Sequence, residues 1–179
     1  MSTPTTLEGT VRTAADEIYQ QLTQGVDSAI ENRVDDWCEL HGLVRLDEPH
    51  QIVARQAAFN VLLKATLYEH YHQRGHLPEF GSDTRQALKD ADELTRDPAF
   101  REYILDDVAW LAEDALDDVL VARKQLDSND DPAEEIGRVF EAITPQESRR
   151  KLGQFRTPKT IADLMADWLI EDGAETVLD

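Results

Sequence analysis

The sequence predicts a mainly α protein: an N-terminal helical bundle, then one further helix and a single short strand at the C-terminal end. Three observations predict it. Apolar residues recur at three- and four-residue steps through most of residues 11–143, the period that lines one face of a helix. A capping side chain followed by proline, a helix start signal, occurs at Asp97-Pro98, Asp131-Pro132, Thr144-Pro145 and Thr157-Pro158. No convincing strand pattern occurs before residue 174.

Taken in order, residues 1–10 are Thr-rich and read as a flexible N-terminus, and residues 11–143 as the helical domain. Ile18, Leu22, Val26, Ala29, Ile30, Val34 and Trp37 predict helix from Val11 to Leu40, with Gly25 able to divide it. His41 to Pro49 reads as a turn and extended connector, Gly42 stopping one helix and Pro49 starting the next. Residues 50–74 are apolar over most of their circumference, which suits a central helix surrounded by others. Gly75, Pro78 and Gly81 mark a loop, after which Ser82 or Asp83 caps a helix to about Arg96.

Asp97-Pro98 then opens a helix to about Leu126, with Phe100, Ile104, Val108, Leu111, Leu116 and Val119 among its inner positions. Asp106, Asp107, Glu113, Asp114, Asp117 and Asp118 fall opposite that stripe, as a solvated face does, and are not read as a metal site. Asp131, Pro132 and Glu134 place a carboxylate at the N-cap, Pro at N1 and Glu at N3 of a helix ending near Ile143. Thr144, Pro145 and Glu147 repeat that arrangement over a short basic helix, where residues 144–179 begin a second segment.

The chain has 179 residues, 37 acidic against 18 basic, for a net charge of −19, with 21 Asp, 16 Glu, 13 Arg and 5 Lys. Acid excess with scarce Lys matches the bias of salt-in halophiles, in which case acidity reports habitat rather than partner; an acidic mesophilic protein is the other reading. The single Cys38 excludes an internal disulfide or a Cys-based zinc site, and its neighbours suggest a buried, inert thiol. With no apolar run near 20 residues and no signal-peptide pattern at the N-terminus, the expectation is a cytoplasmic protein without a membrane partner. His70, His72 and His76 do not share one helix face and are read as helix-end histidines. Residues 1–140 carry no helix-turn-helix signature or basic recognition helix.

The composition changes abruptly near residue 142. Residues 83–141 hold 18 acids and 7 bases, whereas residues 142–160 hold one acid, Glu147, against Arg149, Arg150, Lys151, Arg156 and Lys159. A local charge of +4 in so acidic a chain suggests an anionic neighbour, such as DNA phosphate or a ligand carboxylate; pairing with the chain's own acidic helices is the equal alternative. Gly153 permits close backbone approach, and Thr157-Pro158 opens a helix through Ile161, Leu164, Met165, Trp168 and Leu169. The free N–H groups of that helix start suit a carboxylate. Gly173 ends the helix, and residues 174–179 read as a strand ending on Asp179, the arrangement by which an open α/β sheet receives a nucleotide-type cofactor.

The run RRKLGQFRTPKTIADLMADWLIEDGAETVLD resembles the start of the catalytic domain of gamma-type adenine-specific DNA methyltransferases, found in type I restriction–modification subunits and in fused restriction–modification enzymes. In that family a G-x-[FY]-x-T-P segment precedes a helix, and a strand leads into the cofactor loop D-P-x-x-G-x-G. Gly153 to Pro158 corresponds to the first element and Asp179 to the opening Asp of the second. The resemblance implies that the C-terminal part is the first helix and strand of a truncated Rossmann-like methyltransferase domain. It also implies that Gly153, Gln154, Phe155, Thr157, Pro158 and Asp179 belong to an S-adenosylmethionine site, with the N–H groups after Thr157 facing the cofactor's carboxylate.

Partners implied are DNA, for the complete enzyme, and specificity or restriction subunits. A glycine loop after Asp179 and an N-P-P-[YF] segment do not occur in these residues, so the expectation is a module with weak or no cofactor binding and no activity alone. The alternative expectation is a free-standing acidic helical protein that assembles with restriction–modification or other DNA-associated partners.

Overall fold

The computed structural model describes residues 6–81, 83–152, 157 and 159–169. The chain divides into two compact units, Met1–Pro145 and Gln146–Asp179. Among the described residues the structure is helical, with no strand.

In the first unit, helix α1 (Leu7–Gln24) starts four residues before the predicted Val11. Thr6, itself extended, caps the helix, its Oγ1 accepting the Gly9 N–H at 3.1 Å, and Leu7 is buried at once. Gly25 closes α1 at φ +107°, a region that strains any residue with a Cβ. The Asp27 carboxylate then accepts the Ala29 N–H at 2.7 Å and opens α2 (Ser28–Leu40). Between Gly42 and Pro49 the expected extended connector contains a 3₁₀ turn, Leu43–Arg45. That turn folds Leu43 and Leu46 into the core, which an extended chain with alternating side chains could not do.

Helix α3 (Pro49–Gln73) is the central element. Its Val53, Ala54, Ala57, Ala58, Val61 and Leu62 are completely buried, and α1 contributes Val11, Ala14, Ala15 and Ile18. α3 packs against α1, and the alanines on both helices allow a close approach of their axes. Helix α4 (Thr84–Thr95) begins where Asp83 Oδ1 accepts the Gln86 N–H at 2.9 Å. Around the C-terminal end of α3, Tyr68, Leu77, Leu88, Ala91 and Phe100 form a second apolar cluster, joined at its margin by Tyr71, Phe80 and Trp110.

The predicted continuous helix from Asp97 to Leu126 is broken into pieces. A 3₁₀ turn (Pro98–Phe100) is followed by α5 (Ile104–Ala109), a second 3₁₀ turn (Trp110–Ala112) and α6 (Glu113–Arg123), which runs out in a last 3₁₀ segment (Lys124–Ser128). Its acidic stripe is also interrupted. Glu113, Asp114, Asp117 and Asp118 are exposed as expected, but Asp106 is buried and Asp107 half-buried. α5 packs on α3 and α6 on both α1 and α3. Helix α7 (Pro132–Ile143) starts as predicted, with Asp131 Oδ1 accepting the Glu134 N–H at 3.0 Å. It buries Val139 and Ile143 and sets Phe140 against Phe59 of α3, ring centroids 5.5 Å apart.

The second unit contains α8 (Gln146–Leu152) and α9 (Lys159–Leu169). Ile161, Leu164 and Met165, three and four residues apart on one face of α9, are each about half exposed. The strand predicted over residues 174–179 lies outside the described residues.

Candidate functional site

Of the residues implied in cofactor binding, Thr157 is described and is exposed, two residues before α9 begins. Gly153, Gln154, Phe155, Pro158 and Asp179 lie outside the described residues, as does Arg156 of the basic group. Arg149, Arg150 and Lys151 follow one another on α8, Arg149 half-buried and Arg150 exposed, and Lys159 is the first residue of α9. Adjacent helical residues point about 100° apart, so Arg149 and Arg150 do not stack on one stripe of α8.

A polar cluster in the first unit has no counterpart in the sequence reading. Lys64, in the middle of α3, is 3% exposed and donates from Nζ to Asp106 Oδ1 at 2.7 Å, to the Arg101 carbonyl at 2.9 Å and to the Phe100 carbonyl at 3.3 Å. An ammonium has three N–H bonds, and all three have acceptors. Asp106 Oδ1 also accepts from Asn60 Nδ2 at 3.0 Å, while Oδ2 accepts the Tyr103 N–H at 3.0 Å. The Tyr103 hydroxyl closes the circuit by donating to Asn60 Oδ1 at 3.1 Å. Its ring lies 5.3 Å from the ammonium. Burial, and then the Asp106 charge, push the Tyr103 hydroxyl above the usual phenol range.

The cluster's chemistry is that of a clasp. Every donor of Lys64 is taken, so the amine has no lone pair free for nucleophilic or base work. It ties α3 to the 100–103 segment and to the first turn of α5, and this explains the break in the predicted long helix. Asp106 turns inward to reach Lys64 and the Tyr103 N–H, which requires the chain to enter α5 afresh at Ile104. Lys64, in the middle of a helix apolar over most of its circumference, is the one available signal. A buried ammonium needs a buried anion, and the sequence does not say which of the 37 acids supplies it.

A more exposed set of ion pairs lies outside this cluster. Arg33 and Arg85 both pair with Asp107, at 2.7 and 3.2 Å, and Arg85 and Lys89 reach Glu102, each at 3.2 Å. A cleft of about 480 Å³ between α3, the loop at Phe80 and α6 is lined in part by Glu69, His72, Asp117 and Arg123. Two of its polar side chains are engaged within the fold: Arg123 holds Asp127 at 2.9 Å and Glu69 at 3.7 Å, and the His72 ring meets the Leu77 carbonyl at 3.1 Å. Among the described residues no three His, Cys, Asp or Glu side chains converge to hold a metal ion. No helix among them is long and apolar enough to cross a membrane. Compared with protein-family models, curated proteins and solved structures, the chain matches none.

Proposed function

We propose that the chain is the N-terminal module of an S-adenosylmethionine-dependent DNA adenine amino-methyltransferase of a restriction–modification system. The observation that carries this reading is the segment Gly153-Gln154-Phe155-Arg156-Thr157-Pro158, set in a basic stretch and followed by the amphipathic helix α9. In this reading Phe155, Thr157 and Pro158 form one wall of the cofactor pocket, and the strand ending on Asp179 starts a Rossmann-like sheet. Arg149, Arg150, Lys151, Arg156 and Lys159 meet DNA phosphate. These 179 residues carry neither an N-P-P-[YF] segment nor a P-x-x-G-x-G loop, so methyl transfer belongs to the module joined to a part that supplies them.

The experiment is to produce the chain together with the polypeptide encoded directly after codon 179 and to follow transfer of labelled methyl from S-adenosylmethionine to adenine in duplex DNA. Transfer that depends on Phe155 and Thr157 is the expected result. Downstream sequence with neither motif, in any frame, would remove the reading.

A second reading, a helical interaction protein, is favoured by the division at Pro145, which leaves the first unit with its own core. It predicts that residues 1–145 alone unfold cooperatively and retain whatever partner the full chain binds.

A further inference from the structure

Helix α4 is held to the first unit in two different ways. Its apolar hold is slight: Leu88 is the one large apolar side chain that it buries, with Ala91 beside it, and Leu94 is 63% exposed. Its other hold is ionic. Arg85 Nε reaches Glu102 Oε1, Arg85 Nη2 reaches Asp107 Oδ1 and Lys89 Nζ reaches Glu102 Oε2, each at 3.2 Å. Both bases of α4 are therefore engaged on Glu102 and Asp107, and the side chains of this latch are 26–42% exposed, so ions from solution reach it.

Under Leu88 and Ala91 lie Tyr68, Leu77 and Phe100, with Tyr71 and Phe80 at the margin. This aromatic seat is fastened to α3 independently of α4. Tyr68 and Tyr71 belong to α3 and meet Phe100 edge-on at ring-centroid distances of 6.4 and 5.9 Å. Lys64 holds the Phe100 carbonyl at 3.3 Å, and the Tyr71 hydroxyl donates to Asp97 Oδ2 at 2.9 Å. The Lys64–Asp106 pair beside the seat is buried on both sides. Salt screens exposed charges strongly and buried ones far less, so rising ionic strength loosens the latch and leaves the seat in place.

We infer that α4 is a lid, latched by Arg85 and Lys89 onto Glu102 and Asp107, that lifts as a unit from the aromatic seat ahead of global unfolding and lifts more readily as ionic strength rises. The lid is independent of the methyltransferase reading. It sets two parts of one molecule against each other in sign. Screening the net charge of −19 stabilises the fold as a whole, whereas screening the latch destabilises the closed position of α4. A helix of 12 residues released from its packing does not persist in water, so lifting opens its N–H groups to exchange.

The test is hydrogen–deuterium exchange of the full chain, resolved by peptide, at constant pH in 0.15 M and 1 M potassium chloride. Exchange over residues 84–95 is expected to accelerate about three- to tenfold at the higher salt, the loss expected for a few partly exposed ion pairs, while α1 and α3 slow. Glu102→Gln takes the charged acceptor from both bases at nearly constant shape. It should speed α4 exchange by a similar factor at 0.15 M and blunt its response to salt. Asp114→Asn, on the exposed face of α6, changes the net charge equally and should do neither. Lys89→Gln, which removes one of the three pairs, should give a smaller increase in the same peptides and keeps the test open if Glu102→Gln does not fold. The inference is overturned if residues 84–95 slow with salt in step with α3, or if the folded variants leave the ratio of α4 to α3 exchange at its wild-type value. It also fails if Asp114→Asn alters that ratio as much as Glu102→Gln does.

Discussion

Lys64 and Asp106 meet at 2.7 Å with each side chain 3% exposed, an ion pair sealed between α3 and the start of α5. Removing one charge strands the other in a low-dielectric interior, whereas replacing both with apolar side chains removes the desolvation cost along with the attraction. Lys64→Met is therefore expected to cost about 3–5 kcal/mol, and Lys64→Met with Asp106→Leu to recover most of that loss. Urea unfolding of the four proteins of this cycle checks it. A double variant no more stable than Lys64→Met would mean that the carbonyls of Phe100 and Arg101, and not the carboxylate, dominate the clasp.

This pair marks the limit of what the sequence made legible. The starts of α4 and α7 could be read because the signal is local: a carboxylate, Asp83 or Asp131, lies within three residues of the N–H it accepts. The place of α3 at the centre could be read because its apolar positions fall around most of the helix circumference. The break at residues 101–103 could not, since no Gly or Pro lies between Ala99 and Ser128 and the cause is a partner 42 residues away in sequence. Asp106 and Asp107 look alike in the sequence; the structure buries one and leaves the other between Arg33 and Arg85. The proposed cofactor wall rests on a resemblance alone, and of its residues only Thr157 is among the described ones.

Cys38 is expected to be silent toward thiol reagents in the folded protein. It is 2% exposed, and burial, reinforced by Asp35, pushes its thiol from 9.0 up to about 11. Both features deny a reagent the thiolate it attacks. The folded state holds the proton more tightly than the unfolded one, so the thiol's contribution is fully present below pH 9. It is lost as pH rises from 9 toward 11, where the unfolded chain ionises and the folded chain does not. Cys38→Ala should flatten that part of the stability–pH curve. Rapid labelling of the native protein at neutral pH would contradict the buried placement.

The net charge of −19 predicts that salt stabilises the fold. Exposed like charges, including Glu113, Asp114, Asp117 and Asp118 along α6, repel across distances comparable to the screening length, which shrinks from about 8 Å at 0.15 M salt to about 3 Å at 1 M. The melting temperature is expected to rise over that range. Replacing Asp114, Asp117 and Asp118 together with Asn should raise it at low salt and reduce its salt dependence. A salt-insensitive melting temperature would show that the acids are already compensated within the fold, and would remove the physical basis for a halophilic reading.

The basic segment offers the sharpest test of the proposed nucleic-acid role, because charge neutralisation has a quantitative signature. Each phosphate neutralised on duplex DNA contributes about 0.9 to the slope of log affinity against log salt. If Arg150, Lys151 and Lys159 contact phosphate, changing each to Gln should lower that slope by about 0.9, with similar losses on unrelated DNA sequences. The salt series separates this from a general charge effect. Asp114→Asn on the exposed face of α6 also alters net charge by one, yet it should leave the slope unchanged because it releases no counterion. If the three Gln variants and Asp114→Asn shift affinity by comparable amounts with an unaltered slope, the segment is acting through the protein's overall field, and its place at a DNA backbone is lost. If the slope falls only for the Gln variants, the local charge of +4 in a chain of −19 has its counterpart in phosphate rather than in the acidic helices of the same chain.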